Sequence, residues 1–337
     1  MSITEVAQAA GVSTATVSRA LSGRGSVSSA TRERVMAAAQ SLGYVVSQAA
    51  STLASGRNRN VGIVLPFLDK WFFTQVLDGA QQRLMQLGYD VTLYNLAGKG
   101  APRTTVFEQF LLRQRVDAVI AVSLELTEGE VQRLHDLDKP LVGVGGPIEG
   151  VRTLAVDDVA AAELATEHLL GLGHTRIAHI GGDSASDLDF HLPTKRRRGY
   201  ENALTAADVE VEEALVVGAD FTVPGGYRAA KQLLGSPASQ RPTAIFAASD
   251  EMAFGAILAA RDLGLVVPHD VSIVGVDDHN MADFFGLTTI AHHPRRQGAL
   301  AVDCLMAELE PDADAAPELE SMPFELVVRS STARPRA

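Results

Sequence analysis

The sequence predicts an α/β protein in which an all-α helix-turn-helix segment and a short linker precede a body of two doubly wound parallel-sheet lobes. Three observations carry this. The first 44 residues hold three short amphipathic patterns separated by glycine. From Asn60 onward, short apolar runs alternate with helical patterns, the mark of parallel sheets covered on both faces. The charge is also unevenly divided. Residues 1–60 carry six arginines against Glu5 and Glu33, a balance of +4; the whole chain is −12, so the remainder is −16. Such asymmetry marks a small cationic module on an acidic body.

In the front end, Ser2 is placed to cap a first helix, with Glu5 three residues on to complete a capping box. Val6, Ala9 and Ala10 form its expected apolar stripe. Gly11 ends it as a left-handed stop. Ser13 opens a second helix with Thr16, Val17 and Ala20/Leu21 on one side, and Gly23 to Ser26 reads as a loop. Ser28 caps a third helix whose inner face is Val35, Ala38, Ala39 and Leu42. A helix, a tight glycine turn and a second helix set that second helix proud of the surface, with a width that fits the major groove of DNA. The plain alternative is a three-helix cap with a solvated basic face.

Composition narrows the classes. At 337 residues the chain is long for one core, and 46% apolar residues support a globular body. A single cysteine, Cys304, excludes an internal disulfide framework and supplies no metal cluster, so neither metal nor cofactor is expected. Met-Ser-Ile-Thr-Glu lacks the basic and apolar regions of a signal peptide, and no apolar run is long enough to span a bilayer. A cytoplasmic protein without membrane contact is the expectation. The acidic, alanine-rich stretch Glu308 to Glu320 reads as a surface loop.

In the body, strands are expected at residues 61–65, 91–95, 118–122, 141–144, 176–180, 214–217, 244–247 and 271–276. Helices are expected at Phe72 to Leu87, Phe107 to Arg115, Glu128 to Leu137 and Ala160 to Leu172. About ten strands are too many for one compact unit, so two halves follow, with a ligand cleft between them near the carboxyl ends of strands.

The front end carries a specific likeness. Gly-Val-Ser-Thr-Ala-Thr-Val-Ser-Arg at residues 11–19, then Val-Ser followed by Thr-Arg-Glu-Arg-Val, then Leu-Gly-Tyr, resembles the headpiece of the lactose-repressor/galactose-repressor (LacI/GalR) family, and a looser likeness runs to the end of the chain. The likeness implies a body like the periplasmic binding proteins, with three crossovers between lobes, placed near Asp158, Ala291 and Ser321. The expected boundaries are 1–45 for the DNA-binding segment and 46–60 for the hinge and linker. Residues 61–337 form the effector-binding and dimerisation domain. Its first lobe is about 61–158 and 291–320, its second about 159–290 and 321–332. In the family the segment matching residues 47–55 folds as a hinge when two subunits meet on an operator, and Leu53 falls where a leucine enters the minor groove. Unstacking a base step costs a few kcal/mol, offset by the wider contact a bent duplex allows. The bland reading is that Leu53 packs on its own domain. Relatives usually have Pro-Asn before this helix and an arginine within it; this chain has Val46, Ser47 and Ser51.

The likeness also implies effector contacts. Arg196, three residues before Gly199-Tyr200, sits where the family grips its ligand; the alternative is a solvated helix start shared with Lys195, Arg197 and Arg198. Asp277 in Val-Gly-Val-Asp-Asp aligns with the ligand-binding aspartate, with Asp278 expected to cap the next segment. Ser249 matches a polar contact, with Asp250 expected to cap its helix. Phe221 matches an aromatic wall. In Trp71-Phe72-Phe73 at least one ring must face the cleft, because three successive side chains of a helix cannot all face a core. Asp69 precedes them. Rings beside Asp and Arg suit a saccharide, although a purine or an acidic metabolite also fits.

On DNA, Thr14, Ala15 and Arg19 are the candidates for base edges. Arg19 is able to fork onto a guanine or, alternatively, clamp a phosphate. Ser13, Thr16, Ser18 and Ser28 are candidates for phosphate contacts. No catalytic set stands out: there is no G-x-S-x-G and no HExxH, the histidines His191, His279, His292 and His293 read as surface or packing residues, and Gly181-Gly182 is only a weak phosphate turn. The expectation is therefore a non-enzymatic, homodimeric transcriptional regulator. It binds a pseudo-palindromic double-stranded operator under control of a small metabolite. The competing readings are a solute-binding receptor without a DNA role, and an enzyme of the sugar-kinase kind that lacks its nucleotide loop.

Overall fold

The computed structural model describes residues 1–22, 26–44, 57–96, 101–113, 115–182, 191–309 and 321–336. They fall into two compact units: Met1–Asn60 with Arg115–Asp117, and Val61–Gln114 with Ala118–Ala337.

The first unit contains α1 (Ile3–Ala10), α2 (Thr14–Ser22) and α3 (Ser29–Ser41). Each start is fixed by a side-chain cap. Ser2 Oγ accepts from the Glu5 amide while the Glu5 carboxylate accepts from the Ser2 amide at 2.6 Å, a complete capping box. Ser13 Oγ accepts from the Thr16 amide at 3.2 Å, and Ser28 Oγ from the Thr31 amide at 3.3 Å. Each such cap is worth about 1 kcal/mol. Gly11 ends α1 at φ +66°. The core is Val6, Ala7, Ala10, Val17, Ala20, Val35, Ala38 and Ala39. One expectation fails here: Ala7 is buried and Ala9 is exposed. The face begun at Ile3 continues at positions 6, 7 and 10, the i, i+3, i+4, i+7 stripe, which leaves position 9 on the flank. In the same unit, Asp117 is buried and accepts from the backbone amides of Asn58 and Arg59 at 2.9 and 2.6 Å.

The second unit is two sheets. The first has the order β2 (Asp90–Asn95), β1 (Asn60–Leu65), β3 (Ala118–Val122), β4 (Leu141–Val144), β5 (Arg152–Leu154). Its β1–β3, β3–β4 and β4–β5 pairs are parallel. The helix α4 (Trp71–Gln86) covers it together with a late helix, α12 (Pro294–Leu309). These two meet backbone to backbone. A Cβ on Gly79 would lie 2.0 Å from the Arg295 carbonyl oxygen, and one on Gly298 would lie 2.0 Å from that of Val76, so neither position admits a side chain.

Between β2 and β3 the expected helix over 107–115 is replaced by a broken one. A short α5 (Ala101–Thr105) runs into a π-turn at Val106–Phe110 and a 3-10 turn at Leu111–Arg113. The Leu111 amide donates to the Val106 carbonyl, five residues back. That wider turn puts Val106 and Leu111 on one buried side, which a regular helix would separate. The helix expected over 128–137 is α6 (Glu128–His135).

The second sheet has the order β11 (Glu325–Val327), β10 (Thr288–Ala291), β9 (Ser272–Asp277), β8 (Ala244–Ala247), β6 (Ile177–Gly182), β7 (Val216–Ala219). All its pairs are parallel except β10 with β11. Its helices are α7 (Asp158–Gly171), α8 (Leu192–Ala206), α9 (Val223–Leu234), α10 (Asp250–Asp262) and the single turn α11 (Ala282–Phe285). The chain leaves the first sheet after β5, returns with α12 at Pro294, and passes over again near Met322, which bridges Val156 before β11 pairs with β10. No described helix is long and apolar enough to cross a membrane.

Candidate functional site

Two sets of residues were singled out, and each lies within one unit. In the first unit, α2 presents Thr14, Ala15, Ser18 and Arg19 to solvent. Thr16 is half-buried, its hydroxyl 2.9 Å from that of Ser13. Arg19 Nε donates to the Ala15 carbonyl at 3.2 Å, so its guanidinium folds back along the exposed face rather than away from it. Ser13 and Ser28 are engaged as caps, and the Ser28 hydroxyl also donates to Thr31 Oγ1 at 2.9 Å. Leu53 and the whole segment 45–56 lie outside the described residues.

In the second unit, a cavity of about 320 Å³ opens between the sheets. The first lobe lines it with Phe67, Lys70, Trp71, Phe72, Phe73 and Ser123; the second with Arg196, Asp220, Phe221, Ser249, Glu251 and Asp277. Asp158, His292 and Gln297, beside the points where the chain changes lobe, complete it. Of the seven expected effector residues, six line this cavity: Trp71, Phe72, Arg196, Phe221, Ser249 and Asp277. Asp69 does not. It is exposed, two residues before the helix start, and Lys70 takes the place by the cavity.

Arg196 is buried in the first turn and a half of α8. Its Nε and Nη2 donate to Asp158 Oδ1 at 3.0 and 2.9 Å, and Nη1 donates to the Ala248 carbonyl. Arg197, by contrast, turns outward to Glu201 and Glu213. The run of four cations is therefore not a uniform solvated helix start. Asp158 is available because its neighbour Asp157 caps α7, accepting from the Val159 and Ala160 amides.

Asp277 ends β9 at φ +131°, and Asp278 follows at φ +52°, two strained residues in succession. Asp277 Oδ1 accepts from His292 Nε2 at 3.0 Å. Gln297 Nε2 donates both to the His292 carbonyl at 2.7 Å and to His292 Nδ1 at 3.1 Å. Only an amide nitrogen satisfies two acceptors, so Nδ1 is the acceptor and Nε2 carries the proton that fixes the carboxylate. His292, read from sequence as a packing residue, is thus part of the site.

Two expected caps are reassigned. Ser249 itself caps α10, accepting from the Met252 amide at 3.3 Å. Asp250 is fully buried, takes the Thr289 hydroxyl at 2.6 Å and the His279 amide at 2.8 Å, and so ties β10 and the Asp277 turn to α10. Burial, then the nearby Asp277 carboxylate, pushes Asp250 well above the usual carboxylate range. Asp278 does not cap; it pairs with Arg329 at 2.7 Å.

Across the cleft, Lys70 Nζ donates to the Asp220 carbonyl at 2.7 Å and to that of Phe221 at 3.3 Å. Trp71 Nε1 donates to Asn280 Oδ1 at 2.6 Å, and its ring lies over His279 with centroids 4.9 Å apart. Burial holds the His279 pKa below its ordinary value. Phe73 packs into the first lobe's core and still borders the cavity beside Trp71 and Phe72. Phe221 sits at φ +54° against Gly182, where a Cβ would come 2.2 Å from its ring. Gly182, the last residue of β6, therefore makes room for an aromatic wall. Among the described residues no cluster suits a metal ion.

Comparison with known proteins places both units. Residues 2–47 match the model of bacterial regulatory proteins of the lacI family, and residues 166–332 match the periplasmic binding protein-like domain. The chain is 30% identical to the HTH-type transcriptional repressor PurR of Vibrio atlanticus, over 98% of each chain. A crystal structure of the lac repressor dimer bound to operator and the anti-inducer ONPF matches with TM-score 0.83 at 28% identity, covering 99% of both chains. A complex of the transcriptional regulator CelR with cellobiose matches with TM-score 0.68 at 31% identity, covering 98% of this chain and 99% of that one.

Proposed function

The chain belongs to the LacI/GalR family of bacterial regulatory proteins, and we infer that it is a transcriptional repressor whose hold on an operator is set by a small molecule bound between its lobes. The observation that carries this is the pairing in one chain of a capped helix-turn-helix with a cavity lined by aromatic rings and oriented charges. The matched relatives are transcriptional regulators.

Residues 1–45 are the DNA-binding segment, 46–60 the hinge, and the rest the effector-binding and dimerisation domain. Two subunits set two copies of α2 on a pseudo-palindromic operator, with Thr14, Ala15 and Arg19 toward base edges and Leu53 as the minor-groove wedge. Thr16 and Ser18 are the remaining phosphate candidates, since Ser13 and Ser28 already serve as caps. The effector is a saccharide: Trp71, Phe72 and Phe221 supply flat apolar faces, and Asp277 and Arg196 supply an acceptor and a donor set whose orientations are fixed. The solved CelR relative held cellobiose, which supports the class. The Lys70 and Trp71 bonds to the second lobe favour the closed cleft. A ligand that prefers one lobe arrangement shifts DNA affinity by that preference and by no more.

The test is anisotropy on a duplex selected from a random-sequence library. Arg19→Ala should lose about 1–3 kcal/mol of preference for the selected over a scrambled duplex. Equal losses on both duplexes would make Arg19 a phosphate contact instead.

A further inference from the structure

The charges that line the cleft are not balanced. Four carboxylates (Asp158, Asp220, Glu251, Asp277) face two permanent cations, Lys70 and Arg196. Both cations are engaged within the protein. Arg196 holds Asp158 and the Ala248 carbonyl, and Lys70 holds two backbone carbonyls across the cleft. Three of the carboxylates are engaged as well. Asp158 takes Arg196, Asp220 takes the Thr222 hydroxyl and Arg228, and Asp277 takes His292.

Glu251 differs. It lies in the first turn of α10, lines the cavity, is half-buried, and has no hydrogen-bond or ion-pair partner among the described residues. Burial, then the Asp277 carboxylate, pushes its pKa up, with Lys70 opposing. A carboxylate that is partly desolvated beside another carboxylate gains most from a positively charged donor. A phosphate or carboxylate brought into the same space would instead meet Glu251 and Asp277 head on.

We propose that Glu251 is the specificity-determining residue of the cleft, receiving an amino group of a polyhydroxylated effector and barring sugar phosphates and sugar acids. The proposal rests on the reading of the cleft as the effector site. An ammonium on the sugar would donate to the Glu251 carboxylate in a charge-assisted bond while ring hydroxyls take Asp277 and Arg196. No bond is made or broken, and the discrimination is electrostatic.

Trp71 is the one tryptophan of the chain and lines the cavity, so its emission reports occupancy. The experiment is titration of the full-length protein with glucose, galactose and mannose, their 2-amino derivatives and their 6-phosphates. An amino-hexose should bind about tenfold tighter than its parent, with its 6-phosphate weaker than either. In E251Q, which keeps the shape, the amino-to-parent ratio should fall to about one. The wild-type panel carries the first half of the test even if the variant folds poorly. Preference for a phosphate, an unchanged ratio in E251Q, or no response to any amino-hexose would overturn the proposal. A sugar that raises the thermal midpoint without moving Trp71 emission, and with affinity indifferent to Phe72→Ala, would overturn the cleft reading instead.

Discussion

The two lobes share an architecture and contribute different balances of rings and charges to the cleft. The first supplies rings at the start of one helix, Trp71 and Phe72, with Lys70 before them. The second supplies one ring, Phe221, and charges wired into its interior: Arg196 on Asp158 and Asp277 on His292. Rings at a helix start are replaceable without exposing a buried charge. Buried charges are not, because removing one partner strands the other. The second lobe's binding groups are therefore also part of its fold, and the first lobe's largely are not.

The largest effect should come from Asp158→Ala, which leaves the Arg196 guanidinium buried without its carboxylate. We expect a loss of about 3–5 kcal/mol in urea unfolding of the body. Trp71→Ala should cost ligand affinity with a much smaller shift of the same transition. Equal losses would erase the contrast between lobes.

Acid sharpens the comparison. His179 lies fully buried in the second lobe between Tyr200 and Phe246, with Nδ1 on the Phe246 carbonyl and Nε2 without a partner. Burial lowers its pKa from 6.5 to about 4. The unfolded chain therefore takes up the proton first. The contribution of neutral His179 is whole above about pH 6.5 and is lost as pH falls toward 4, about 3 kcal/mol in all. Stability against pH for wild type and His179→Phe should differ by that slope; parallel acid limbs would contradict it.

A smaller effect is expected from Trp71→Phe, which keeps a ring but removes the bond to Asn280. The ligand-free body should become more open in solution scattering, with about 1 kcal/mol less bias toward closure. Smallest is Ser2→Ala, which removes the capping box of α1. Its amides should exchange faster by a factor matching about 1 kcal/mol, with the body unchanged.

Much of this was legible in the sequence because apolar periodicity and caps are local. Ser2 with Glu5, Ser28, Ala118–Val122, Leu141–Val144 and Ala244–Ala247 all stand where the residues alone put them. The strand β10 was missed because its threonines look polar, yet the Thr289 hydroxyl donates to Asp250, far away in sequence. The site was half legible for a related reason. Asp157-Asp158, Ser249-Asp250-Glu251 and Asp277-Asp278 are runs in which each residue has a different task. Sequence shows such a run but not which member turns inward. His292 and Gln297 acquire meaning only once Asp277 is beside them.

The central claim is that a molecule in the cleft sets the affinity of residues 1–45 for DNA. The most direct measurement is the dissociation constant of the full-length protein for its selected duplex, with and without a sugar shown by Trp71 emission to occupy the cleft, in wild type and in Asp277→Ala. The account predicts a shift of tenfold or more in wild type, in line with coupling of about 1–3 kcal/mol, and none in the variant. A sugar that fills the cleft and leaves the duplex affinity of the wild type unchanged would contradict it.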